Sequence, residues 1–315
     1  MKYLAVISAL ALLTGCQADK ASSNGLVSLR LQTDWFPQPE HGGFYTALTK
    51  GFYQAEGLDV TLLPLGQYSS SLKVVSSGGA EFGLASSDQI LEAVSNGLPV
   101  TAVAAFMQHD PQAIMVHANS PVKNFADLEG RSVAAQPGST WFKLIVNKFN
   151  LKDVRETPAT HSIANFLADP NYIQQIFVTS EPYFVKKANV PFRTILISDA
   201  GYDPYRVFFV HKDYLAKNPE ITAKFVRASL KGWQEYLRDP APAHALIRKL
   251  NPAQNADQMQ FTLQTLKDGS FISSSAAIGQ MTPARWAATN DQLNSLGVIR
   301  QPIDPTTAYT TRFLP

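Results

Sequence analysis

At 315 residues, the chain is long enough to form two domains, each with its own core. Its 27 basic and 25 acidic side chains leave a net charge of +2, too small a surplus to single out nucleic acid or an acidic surface as partner. A single cysteine excludes an internal disulfide, and no apolar run beyond residue 16 is long enough to cross a membrane.

The chain opens with Lys2 and an apolar run from Leu4 to Leu13, which has the charge and length of a secretory signal but is too short to span a bilayer. The run ends in Leu13-Thr14-Gly15-Cys16. This resembles the bacterial lipobox, in which a cysteine after small residues becomes the lipidated start of the mature protein. Residues 1–16 are therefore read as a lipoprotein signal and 17–25 as a small, polar tether. The mature protein is expected to be exported and lipid-anchored through Cys16, in the periplasm or at the cell surface.

Residues 27–33 and 58–63 alternate apolar and polar side chains and predict two strands. Between them Phe44, Leu48 and Phe52 recur every four residues and predict one helix, closed by Gly57. Strand, helix and strand in that order make a βαβ unit with parallel neighbouring strands. Alternating strands and helices follow at 69–77 (helix), 81–85, 87–96 (helix), 99–106 and 113–117. The turn-rich stretch 118–121 interrupts the pattern. A second series begins at Arg131, with helices over 139–149, 161–168 and from Glu181, and strands at 175–179 and 193–197. A strand at 206–210 returns to the first unit. From Pro219 the chain is nearly all helical, with Phe225, Ala228, Leu230, Trp233 and Leu237 on one face.

The expected fold class is α/β, with lobe 1 over 26–117, lobe 2 over 118–205, and a return into lobe 1 over 206–315. Paired crossings near 117 and 206 would make a hinged clamshell. Ligands of open α/β sheets bind beyond the carboxyl ends of the strands, so both lobes would offer loops to one cleft. The dense stretch DWFPQPEHGGFY, residues 34–45, follows the first strand and falls at that cleft.

DWFPQPEHGGFYTALTKGFYQAEGLDV resembles the start of the bacterial solute-binding proteins akin to the fungal thiamine-pyrimidine synthase. The likeness continues through Gly83–Gln89, Phe125–Val133 and Val178–Tyr183. It implies a type II periplasmic-binding fold and delivery of a small molecule to the permease subunits of an ABC importer. Members carry aminopyrimidine thiamine precursors, and relatives carry riboflavin, sulfonates or nitrate. No cofactor or metal is expected, and a monomer is. His41 resembles a histidine that serves chemistry in the fungal enzyme, whose cysteine-rich iron motif is absent here. There is also no G-x-S-x-G, H-E-x-x-H, Walker loop or dinucleotide fingerprint, so an enzyme is not expected.

Candidate ligand contacts follow from position and chemistry. Asp34 can accept hydrogen bonds, and Trp35 can stack on a flat ring or pack between the lobes. Phe36, His41, Gly42 and Tyr45 join them, the glycine letting a ligand approach the backbone, with His41 otherwise a polar loop residue and Tyr45 otherwise covering the lobe's surface. Ser87 and Asp88 stand at a strand-to-helix junction, where they serve equally as caps, and Phe106 ends the next strand. Ser139, Thr140 and Trp141 open a helix with no Arg or Lys between Arg131 and Lys143, which favours a neutral ligand group there or else simple capping by serine with Trp141 in the core. Glu181 and Tyr183 open another, Glu181 suiting an N–C–NH2 edge that donates two hydrogen bonds or simply complementing the helix dipole. Tyr202 and Tyr205 precede the returning strand. These contacts suit a small planar heterocycle, which the resemblance narrows foremost to an aminopyrimidine thiamine precursor, the alternatives being a pyrimidine synthase-like enzyme or a receptor for riboflavin or a sulfonate.

Overall fold

The computed structural model describes residues 25–65, 70–160, 162–272 and 278–315. Cys16 with its lipobox and nearly all of the tether lie outside the described residues, as do Ser69 and His161, the expected starts of two helices.

Two five-stranded sheets organise the chain. The first takes β1 (Val27–Gln32), β2 (Leu58–Leu63), β3 (Phe82–Ser86), β4 (Val100–Met107) and β10 (Arg206–His211) in the order β2-β1-β3-β10-β4. The second takes β5 (Gln112–His117), β6 (Ser132–Ala135), β7 (Arg155–Pro158), β8 (Gln174–Phe177) and β9 (Phe192–Leu196) in the order β7-β6-β8-β5-β9. The first βαβ unit closes as its pattern demands, with β1 and β2 parallel neighbours. The returning β10 runs antiparallel between β3 and β4.

Strand β5 corrects one boundary. It pairs with β8 and β9, so the chain leaves the first sheet over residues 108–111, not near 117. All of β4 and the central residues 113–116 of β5 are buried and, apart from Thr101, apolar, as strands covered on both faces are. The polar stretch Gln108-His109-Asp110 with Pro111 is what separates them. The second crossing, over 201–205, lies beside it, and Asp203 ties the two together. Its carboxylate accepts from the Asp110 backbone N–H at 2.9 Å, meets His109 Nδ1 at 2.6 Å and pairs with Arg285 at 2.9 Å.

The expected helix over 44–52 is two helices, α1 (Gly42–Thr49) and α2 (Phe52–Ala55), because Gly51 turns left-handed with φ +70°. Helix α1 lies tight against α9 (Pro219–Arg238). A Cβ at Gly43 would sit 2.1 Å from the Trp233 ring, and one at Gly232 2.3 Å from the Gly43 carbonyl oxygen. Glycine here admits a large aromatic, and the whole apolar face of α9 benefits, since Phe225, Ala228, Leu230 and Trp233 are buried against α1 and the sheet. Gly43→Ala is therefore expected to destabilise the protein by about 1–3 kcal/mol, read as a lower denaturation midpoint with an unchanged slope. An unaltered midpoint would mean that α1 and α9 slide apart freely.

Candidate functional site

The cleft is built where strand ends from the two sheets face each other. Thr33 pins the loop after β1, its hydroxyl donating to the Trp35 carbonyl at 2.7 Å, and Asn251 holds it from outside by donating to the Pro37 carbonyl at 2.9 Å. A single turn of 3-10 helix, Pro39–His41, then carries Glu40 and His41 into the interior, where both are buried. Phe106 and Met107 come from the end of β4, and Arg206 from the start of β10, which its antiparallel run places at the same end. Lobe 2 contributes Pro111 before β5, Phe177 at the end of β8, and Ser180 and Glu181 at the start of α7 (Glu181–Lys187). With Asp34, Trp35 and Gln38 these groups line a cavity of about 230 Å³.

Charge in the cavity is arranged unevenly. The Asp34 carboxylate binds His41 Nε2 at 2.8 Å through one oxygen and the Arg206 guanidinium through the other. Burial pushes this carboxyl up, but Arg206 and then His41 outweigh it and hold it well below the usual carboxylate range. Asp110 lies 3.8 Å from the same guanidinium, and burial dominates there, lifting its carboxyl to about 6. Arg206 is thus enclosed by acids. Glu181 is different. One of its oxygens accepts from the Phe177 backbone N–H at 2.9 Å, yet burial, aided by Glu40, pushes its carboxyl up to about 7. Burial likewise raises Glu40. Asp34 accepts at His41 Nε2, and among the described residues the buried His41 Nδ1 has no hydrogen-bond partner.

Of the residues singled out in the sequence, Asp34, Trp35, His41, Phe106 and Glu181 meet in this cavity. The others are placed elsewhere. Phe36 is 45% exposed and packs edge-on against Trp35 at 5.5 Å. Gly42 gives its space to Tyr236, and Tyr45 is buried in the lobe 1 core. Ser87 accepts from the Tyr205 N–H at 3.0 Å and Asp88 from the Tyr202 hydroxyl at 2.5 Å, so all four join α4 (Ser87–Ser95) to the second crossing. The Ser139 hydroxyl donates to the Gln136 carbonyl, Thr140 starts α5 (Thr140–Lys148), and Trp141 is buried in the lobe 2 core. Tyr183 donates to Asn255 at 3.0 Å, a contact from lobe 2 to the C-terminal helices. Sequence reading passed over Gln38, Glu40, Met107, Pro111, Phe177, Ser180 and Arg206. The one available signal was for Arg206, a cation leading four buried apolar residues, 207–210.

Among the described residues no group of three or more His, Cys, Asp or Glu stands close enough to hold a metal ion, and no helix is long and apolar enough to cross a membrane.

The whole fold matches known structures. The periplasmic aliphatic sulphonate binding protein SsuA of Escherichia coli superposes with a TM-score of 0.71, over 89% of this chain and 91% of that one, at 16% identity. The architecture is accordingly the type II periplasmic-binding fold. In sequence, the chain is 24% identical to the riboflavin-binding protein RibY of Chloroflexus aurantiacus over 92% of its own length and 87% of the relative's. It is also 24% identical to the formylaminopyrimidine-binding protein of Halalkalibacterium halodurans over 83% of its length and 81% of that protein's. The family model described as NMT1/THI5 like matches residues 38–243. That span is more than half of the chain, and its start falls on the loop that carries Glu40 and His41 into the cleft: the chain belongs to the NMT1/THI5-like family.

Proposed function

We propose that this chain is the solute-binding component of an ABC importer, exported and tethered by a lipid on Cys16, and that its ligand is an aminopyrimidine of the thiamine-precursor type. Fold and relatives support a ligand-binding role. The observation that carries the ligand class is the meeting of Trp35 from lobe 1 and Glu181 from lobe 2 in one small cavity. An indole offers a face to a flat ring, and a carboxyl group matches an N–C–NH2 edge with two hydrogen bonds, one oxygen accepting from the amino group and the other sharing a proton with the ring nitrogen. A volume of about 230 Å³ suits one substituted ring better than the three fused rings of a flavin. The cation that a sulfonate or phosphate would need, Arg206, is already held by Asp34.

Contacts made from both lobes stabilise the closed form by their differential affinity, and closure presents the permease subunits with a shape the empty protein lacks. A dissociation constant near 1 μM corresponds to about 8 kcal/mol. Thermal unfolding with 4-amino-5-hydroxymethyl-2-methylpyrimidine, riboflavin and taurine separates the candidates. At one hundred times its dissociation constant the aminopyrimidine should stabilise by about 2.7 kcal/mol, a rise of several degrees, with little change from taurine. A larger rise with taurine or riboflavin would overturn the ligand class while leaving the fold in place.

A further inference from the structure

The acidic side of the cavity holds two carboxylates and no cation of its own. Glu40 arrives from the loop after β1 in lobe 1, Glu181 from the first turn of α7 in lobe 2, and both line the same space. Among the described residues neither forms an ion pair. The remaining charged and titratable groups around them are Asp34 and His41 on the same loop as Glu40, Arg206 on β10, and Tyr236 on α9, which Glu40 influences. Arg206 is engaged by Asp34 and approached by Asp110, and so does not neutralise the pair. Two buried carboxylates that line one small cavity, one raising the other by its charge, do not readily both ionise near neutral pH.

We propose that Glu40 and Glu181 share one proton across the empty cleft and that this proton passes to the ligand, so that the protein binds a neutral aminopyrimidine together with a proton and rejects phosphorylated or sulfonated rings. This rests on the aminopyrimidine reading above. The proton leaves the Glu181 carboxyl oxygen for a ring nitrogen, and the resulting carboxylate accepts two hydrogen bonds from the amidinium edge. Glu40 stays ionised and stabilises the ring's new positive charge from the opposite lobe. The raised carboxyls of both residues agree with a retained proton, Glu181 standing at about 7.

The pH dependence has a definite sign. Below about pH 7 the empty cleft already holds the proton, so affinity for the neutral ring is flat. Above it the proton must come from solvent, and affinity falls about tenfold per pH unit. Glu40 is then a positioning residue whose removal lowers the pH at which the fall begins.

Calorimetry with 4-amino-5-hydroxymethyl-2-methylpyrimidine from pH 6 to pH 9, in phosphate and in Tris, tests this. The expected result is the break near pH 7, with a buffer-dependent heat at pH 8 equal to uptake of one proton. Glu181→Gln should remove the slope, and Glu40→Gln should move the break to lower pH. Tight binding with neither slope nor buffer dependence would overturn the shared proton and leave the ligand class intact. Absence of binding at every pH would overturn the ligand class. The proton pair is then judged on the free protein by difference infrared spectroscopy: a protonated-carboxyl band titrating near pH 7, and missing in Glu181→Gln, supports it, and its absence refutes it.

Discussion

Glu181→Gln is expected to weaken binding of 4-amino-5-hydroxymethyl-2-methylpyrimidine at pH 7 by roughly 10- to 100-fold while making the empty protein more stable above pH 8. The loss follows because a carboxylate bonded to a charged donor edge contributes about 1.5–3 kcal/mol, and an amide presents one acceptor and one donor where two acceptors are needed. The gain comes from the free protein. Burial raises the Glu181 carboxyl to about 7 in the fold, against about 4.3 when unfolded. A carboxyl raised in this way opposes folding once pH climbs past its unfolded value, and the opposition is complete above its folded value. Removing the ionisable group should therefore recover on the order of 2–3 kcal/mol at pH 8 and almost nothing at pH 4. Calorimetry and thermal unfolding on one preparation read both effects. A variant that loses affinity without gaining alkaline stability would show that Glu181 is solvated in the empty cleft.

Arg206→Met should be the most damaging single change in the cleft, lowering stability at pH 7 by about 3–5 kcal/mol. The methionine fills similar space, but Asp34, whose side chain is 18% exposed, and Asp110, at 3% exposed, would lose the cation between them. The deficit depends on pH. Because Arg206 and His41 hold the Asp34 carboxyl low in the fold, its contribution is fully present above the unfolded value near 4 and is lost as pH falls through the folded one. The variant's deficit should accordingly narrow as the solution is acidified below about pH 4. Arg206→Lys should recover only part of the loss, since one ammonium does not reproduce a guanidinium that reaches Asp34 and Asp110 through different nitrogens. Denaturant titrations at pH 7 and pH 3.5 check this, and a loss below about 1 kcal/mol at pH 7 would mean that water replaces the guanidinium.

Much of the architecture is written in local pattern. The alternation in 27–33 and 58–63, with a helix between, leaves few topologies open, and the returning strand at 206 is announced by five residues that are apolar but for Arg206. The boundary between lobes is less legible. Both β4 and the centre of β5 are buried and nearly all apolar, and nothing local to Gln112–His117 says which sheet it joins, because strand partners are chosen by packing over long separations. Strand β7 escaped notice because Arg155–Pro158 is a polar, mostly exposed edge.

The cleft shows the same division. Asp34, Trp35 and Glu181 were legible because each lies in the short turn from a strand to the next helix or at that helix's first residue, where chemistry collects. Ser87, Asp88, Tyr202 and Tyr205 occupy similar positions, yet the returning strand brings them against one another, the Ser87 hydroxyl accepting from the Tyr205 N–H and one Asp88 oxygen from the Tyr202 hydroxyl. Glu40 was hidden for the opposite reason. A glutamate between a proline and a histidine reads as an exposed loop residue, and only the 3-10 turn that buries it reveals an acid inside the cleft.

A crystal structure of the protein with 4-amino-5-hydroxymethyl-2-methylpyrimidine bound is the most direct measurement. The account predicts the ring lying against the Trp35 indole at van der Waals separation, roughly 3.5–4.0 Å, with its N–C–NH2 edge on the Glu181 carboxylate. A ring seated against the hinge residues Tyr202 and Tyr205, or bound with Arg206 released from Asp34 to grip it, would contradict the account.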